Sequence, residues 1–219
     1  MKYIFLLAAA CLLPFCGIAQ TEPGRAQPDS SGDDLLKTLV DTASRPALLP
    51  PKMIVTQRLL WGSKGFMRTT GMAPLTPEGR AHELKIRRSM LVSHQVAGFV
   101  TLAGFIAQGI VGAKLYNATG SEYSRLKSTH ETIGTAVNIT YTTTALLSLF
   151  APPRMVSERR GFSSIKLHKY LAVVHIAGMI ATNVLASSLE GHPELKPYHR
   201  AAAYTTFGAF AASVIAIKF

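Results

Sequence analysis

The chain has 219 residues, 48% hydrophobic and 16% charged, with a formal net charge of +11. Soluble domains carry about a quarter charged residues, and here Lys and Arg stand in short clusters beside apolar runs, as in membrane proteins. That distribution argues against nucleic acid as a partner. The only cysteines, Cys11 and Cys16, lie in the first apolar stretch, so a chain that loses this stretch has no disulfide and no thiolate metal site.

Residues 1–19 start with Lys2, continue through the apolar run YIFLLAAACLLPF and end in Gly17-Ile18-Ala19. This pattern predicts a secretory signal peptide cleaved after Ala19. Two other readings exist, lipidation at Cys16 and an uncleaved anchor. Pro14 and Phe15 fit the first poorly, and Pro14 with the short apolar run fits the second poorly. Residues 20–52 form an exported linker rich in Pro, Gly, Ser and Asp, with little to bury. Within it, Leu35, Leu36, Leu39 and Val40 have helical spacing behind Asp33, which predicts a short surface helix over 34–42.

Within an interfacial or capping segment over 53–84, residues 53–75 look amphipathic but are interrupted by Arg58, Lys64 and Arg68, so they fall short of the roughly 20 apolar residues of a span. Trp61 beside basic residues suits a membrane interface. The segment is expected to lie against the bilayer or cap the helices behind it, with an ordinary loop as the alternative. Thr76-Pro77-Glu78-Gly79 is a helix start, with Thr as N-cap and Pro in the first turn.

Residues 85–219 carry four apolar segments, over 90–113, 132–150, 165–185 and 201–217. Pro152 and Pro153 close the second, Gly191 and Pro193 follow the third, and Pro197 precedes the fourth. Short connections imply antiparallel neighbours. The expected fold is all-α, an up-and-down four-helix bundle in the membrane.

Each segment has a histidine near its N-terminal end: His94, His130, His168 and His199. Chain direction alternates, so His94 and His168 fall near one membrane face and His130 and His199 near the other. Within a bundle each pair is diagonal. Two imidazoles across a central slot are the axial ligands of a six-coordinate b-type haem. One turn on, and on the same helix face, stand small residues, Gly98, Gly134, Ala172 and Ala203, which leave room for a porphyrin. His175 is the alternate ligand in the third segment, but it lies near mid-bilayer and is followed at i+4 by Met179.

A single interfacial histidine is usually just a polar residue near water; four in one register weigh differently. Glu131 is the only acid inside or beside a span, which disfavours a zinc or di-iron site. Lys85, Arg88, Lys169 and Arg200 stand beside the histidines as candidates to neutralise propionates or attract an anionic partner. His82 and His192 are assigned no role.

The stretches LVSHQVAGFVTLAGFIAQGIVG, STHETIGTAVNITYTTTALLSLFAPP, LHKYLAVVHIAGMIATNVLA and PYHRAAAYTTFGAF resemble the cytochrome b561 superfamily. The resemblance implies a four-helix core with two haems b, held by His94 with His168 and His130 with His199. It implies a dihaem b-type membrane cytochrome that moves electrons across the inner membrane. The acceptor would be a ferric chelate, a quinone or a partner redox protein; neither donor nor acceptor transfers by motif. Larger members add flanking helices or a preceding β-sandwich domain; only the core is expected here, because residues 20–88 are too short and too poor in strand pattern for such a domain.

The location implied is a bacterial inner membrane, with membrane lipid as surroundings. The signal peptide places residues 20–88 in the periplasm. The Lys and Arg count is higher on the His94/His168 face and points the other way by the positive-inside rule; the signal peptide is taken as decisive. A version with one haem, and a haem-free carrier or assembly protein of the cell envelope, are the competing expectations.

Overall fold

The structure is a computed structural model and describes residues 47–155 and 163–218. The expected signal peptide, the linker before residue 47 and its 34–42 helix lie outside the described residues. All regular elements among the described residues are helices: α1 Val55–Trp61, α2 Phe66–Thr69, α3 Pro77–Leu115, α4 Gly120–Leu149, α5 Ser164–Ser188 and α6 Lys196–Lys218, with a 3₁₀ turn at Pro193–Leu195 before the last.

The expected start of α3 is present: Thr76 is extended and its hydroxyl accepts from Gly79 N at 3.1 Å. Ser163 caps α5 in the same way, accepting from Lys166 N. Three helical stretches, Pro77–Leu115, Ser164–Ser188 and Pro193–Ile217, are long and apolar enough to cross a membrane. α4 is long enough but is not among them, because six of its residues between 132 and 144 are threonine. α3 and α4 also begin well before the apolar segments, so His94 and His130 stand inside long helices rather than at their ends.

α3 packs along α4, and α5 along α6. The two hairpins then meet through few but specific contacts. Between α4 and α5, Asn138 and Asn183 exchange side-chain amide hydrogen bonds of 2.9 and 3.0 Å, and Tyr141 Oη lies 2.7 Å from His175 Nδ1. Between α3 and α6, the Phe105 ring lies 5.2 Å from Phe210 and 6.4 Å from Phe207. Tyr141 and Phe210 also meet, at 5.9 Å.

The hairpins repeat one another. Val137, Tyr141, Met179 and Phe210 form the buried apolar core, with Phe105 packed against it. Phe105, Tyr141, Met179 and Phe210 each stand eleven residues after the histidine of their own helix. Ala103-Gly104-Phe105-Ile106-Ala107 in α3 matches Ala177-Gly178-Met179-Ile180-Ala181 in α5 at the same offset. Gly104 faces Val137 and Gly178 faces Thr206, both seven residues past the histidine of the partner helix. A Cβ on Gly104 would stand 2.7 Å from Val137 Cγ2, and one on Gly178 would run into Thr206 Oγ1. Glycine is needed at both because the helices approach this closely.

The segment before α3 is tied to the end of α4. A helix leaves its last carbonyls without partners, and Pro152 and Pro153 bring no N–H of their own. Here five consecutive carbonyls are taken up by side chains. Thr56 Oγ1 donates to Leu149, Trp61 Nε1 to Phe150, Gln57 Nε2 to Ala151, Arg87 Nη1 to Pro152 and Arg80 Nη2 to Pro153, over 2.6 to 3.1 Å. Glu83 is buried and paired with both Arg68 and Arg80. We call this arrangement the collar. It includes Trp61, 5% exposed, and it covers the end of α4 that carries the partner of His94.

Candidate functional site

Arg80, Arg87, His94, Thr101 and Gln108 recur every seven residues along α3 and so share its inward stripe. Arg80 and Arg87 belong to the collar. Arg87 is crowded: burial, with Arg154 and Arg80 nearby, lowers its guanidinium pKa. Next on the stripe is His94, whose ring centroid lies 6.1 Å from that of His168 on α5, with the planes at 84°.

Both rings are held by the backbone of their hairpin partner. His94 Nδ1 lies 2.8 Å from the Thr144 carbonyl oxygen and His168 Nδ1 lies 2.9 Å from that of Ser213. At the other end His199 Nδ1 lies 3.0 Å from the Thr182 carbonyl oxygen. A carbonyl oxygen only accepts, so Nδ1 carries the proton in each case and Nε2 keeps its lone pair. A hydrogen bond from the ring nitrogen that does not ligate fixes the tautomer and ring orientation of metal-bound histidine.

The three acceptors obey one rule. Thr144, Ser213 and Thr182 each stand fourteen residues after the histidine of their own helix. At 1.5 Å per residue, fourteen residues span about 21 Å. The His94/His168 tier and the His130/His199 tier are therefore about that far apart along the helices. The rule assigns the Gln108 carbonyl to His130. The bond does not close to hydrogen-bonding geometry, and both His130 Nδ1 and Gln108 Oε1 are buried without a partner.

Two imidazoles on one metal ion each have a metal–nitrogen bond of about 2.0–2.1 Å, and the distance from nitrogen to ring centre brings their centroids to about 6 Å. The His94/His168 separation fits that value. Gly98 is buried, and a Cβ there would come 3.8 Å from Thr144 Cγ2, so it leaves a methyl-sized space beside the pair. The second tier is tighter. The Gln108 amide lies over Gly134, 3.0 Å from where a Cβ would be, and His130 Cε1 lies 2.9 Å from the Cβ position of Gly112. A porphyrin at that tier requires the Gln108 side chain to turn away.

Ala172 and Ala203 are half-buried. His175 is elsewhere: buried between the tiers, bonded to Tyr141 and 5.1 Å from the Phe210 ring. Lys85, Arg88 and Lys169 are exposed on the collar side. Arg200 is exposed at the other end, with its guanidinium 4.7 Å from the Tyr116 ring and 5.6 Å from the Tyr204 ring. There Lys127 bonds Glu190 at 3.2 Å, and this bond, with Glu131 alongside, raises the lysine pKa.

No family model, curated protein or solved structure matches the chain. Among the described residues no three His, Cys, Asp or Glu side chains converge as a metal-binding group. A site with two imidazole ligands does not need such a group.

The sequence reading missed the residues that hold the histidines, namely Thr144, Thr182 and Ser213, because they act through backbone carbonyls. The constant fourteen-residue offset was a signal available for them. It also missed Tyr141 and the collar bonds.

Proposed function

We propose that this chain is a dihaem b-type membrane cytochrome, an up-and-down four-helix bundle that conducts electrons across a bacterial inner membrane. The observation that carries the reading is the 6.1 Å separation of the His94 and His168 rings, each with Nδ1 on a carbonyl and Nε2 free. In the second tier His199 keeps the same relation through the Thr182 carbonyl, while His130 Nδ1 makes no hydrogen bond to Gln108.

α4 is the helix least suited to lipid by composition, and its hydroxyls reduce that cost. Thr129, Thr132, Thr135, Thr140, Thr143 and Thr144 each donate to the carbonyl four residues back, at 2.7 to 3.1 Å. A bonded hydroxyl is far cheaper to take out of water than a free one. The paired amides of Asn138 and Asn183 serve likewise and join the two hairpins.

Haem bound at each tier would supply a one-electron iron couple. His94, His168, His130 and His199 would hold it, with the small residues Gly98, Gly134, Ala172 and Ala203 one turn further along each helix. The backbone carbonyls of Thr144, Ser213 and Thr182 orient three of the imidazoles through Nδ1 and leave Nε2 for the iron. Phe105, Tyr141, Met179 and Phe210 fill the space between tiers and exclude water. Exposed Lys85, Arg88 and Lys169 on one side and Arg200 on the other favour an anionic or metal-chelate electron partner. Residues 20–88 lie in the periplasm in this reading.

The test is the haem-to-chain ratio of the purified protein by pyridine haemochrome, with a reduced-minus-oxidised spectrum. Two haems b per chain are expected. A folded but colourless protein overturns the proposal, and a ratio of one reduces it to a single tier.

A further inference from the structure

We propose that the outer face of the collar is a seat for anionic phospholipid. The inner side of α1 is committed: Thr56, Gln57 and Trp61 bond the carbonyls at the end of α4. Its outer side is apolar. Val55 and Leu59, one turn apart, are each 70% exposed, and Ile54 and Phe66 are exposed beside them. The collar is held at the end of a hairpin whose other helix, α3, is long and apolar enough to cross a membrane. The apolar patch is thus fixed at the rim of the bundle and does not fold inward.

The charge beside the patch selects the lipid. Lys52, Arg58 and Lys64 are exposed around it, and no Asp or Glu occurs from residue 47 to 77. None of the three enters an ion pair among the described residues. A small apolar face rimmed only by cations matches the boundary between acyl chains and anionic headgroups. A neutral lipid would leave the cations without a counter-charge, and a basic protein surface would repel them. The inference needs the membrane reading but not haem.

Trp61 is the only tryptophan in the chain and lies beneath this face. The full chain is reconstituted in nanodiscs in which either the phosphatidylglycerol or the phosphatidylcholine carries brominated acyl chains. Brominated phosphatidylglycerol is expected to quench Trp61 at lower mole fraction than brominated phosphatidylcholine. The triple variant Lys52→Gln, Arg58→Gln, Lys64→Gln holds no collar bond and should keep the fold. In it the apparent affinity for the anionic lipid should fall on the order of fivefold per cation removed. Equal quenching by both lipids, unchanged in the triple variant, overturns the headgroup preference. Absence of quenching by either lipid overturns the seat, and means that water, another protein or another part of the chain covers the face. The haem-to-chain ratio is read separately, so failure here is distinguishable from failure of the electron-transfer reading.

Discussion

His94 Nδ1 lies 2.8 Å from the carbonyl oxygen of Thr144, one turn and a half from the end of α4. The bond sets the tautomer, and with it the nitrogen that can ligate. His168 and Ser213 stand in the same relation in the other hairpin.

The pairing predicts how histidine variants divide the haem. His94→Ala and His168→Ala should each remove half of the haem, and the double variant should remove no more than either alone. His130→Ala should remove the other half. His175→Ala should leave the ratio unchanged, because its Nδ1 is bonded to Tyr141 rather than to a carbonyl of the fourteen-residue series. Pyridine haemochrome on each purified variant checks this. A loss in His175→Ala with none in His168→Ala would reassign the ligand.

Tyr141 and His175 form a buried polar pair inside an otherwise apolar belt. Tyr141→Phe keeps the ring packing against Phe105 and Phe210 and deletes only the hydroxyl. It leaves His175 Nδ1 without its partner, at a cost of about 1–3 kcal/mol. A lower melting temperature in detergent with an unchanged haem ratio is the expected outcome.

The glycines of the two hairpins predict unequal costs. Gly178→Ala forces a methyl into Thr206, whose hydroxyl is tied to the Ala202 carbonyl at 2.7 Å and whose Cα is only 3.5 Å away. Gly104→Ala meets one methyl of Val137, whose Cβ stands 4.0 Å away, so less of the partner helix has to shift. Overpacking costs about 1–3 kcal/mol, and Gly178→Ala should sit at the upper end. Parallel thermal melts of the two variants rank them.

Much of this was readable in advance, and what escaped has physical causes. The four apolar segments and the Thr76 cap follow from hydropathy and capping chemistry, so the helices lie where periodicity puts them. The extent of α4 did not follow: the second apolar segment is read from residue 132, but the helix begins at Gly120, and its threonines keep it out of the helices apolar enough to cross a membrane. The histidine register was visible, but the carbonyls that hold the rings were not, because any residue type supplies one. The collar escaped because its partners are about ninety residues apart in sequence, as with Trp61 and Phe150.

Glu83 gives the sharpest test of the collar. It is 1% exposed and pairs with both Arg68 and Arg80. Arg80 also donates to Leu48 and Pro153 carbonyls, so this carboxylate connects residue 48, α3 and the end of α4. Glu83→Gln keeps the shape and removes the charge, leaving two buried guanidiniums without a counter-ion beside an already crowded Arg87. Removing one partner of a buried pair costs about 3–5 kcal/mol. The collar should release before the helices melt. Trp61 emission should shift to the red, and limited proteolysis should cut between 47 and 75 while the haem ratio holds. Glu190→Gln removes the partner of Lys127 at the exposed opposite end and should change neither signal, since surface pairs contribute little. If Glu83→Gln behaves like Glu190→Gln, the collar is held by its carbonyl bonds alone.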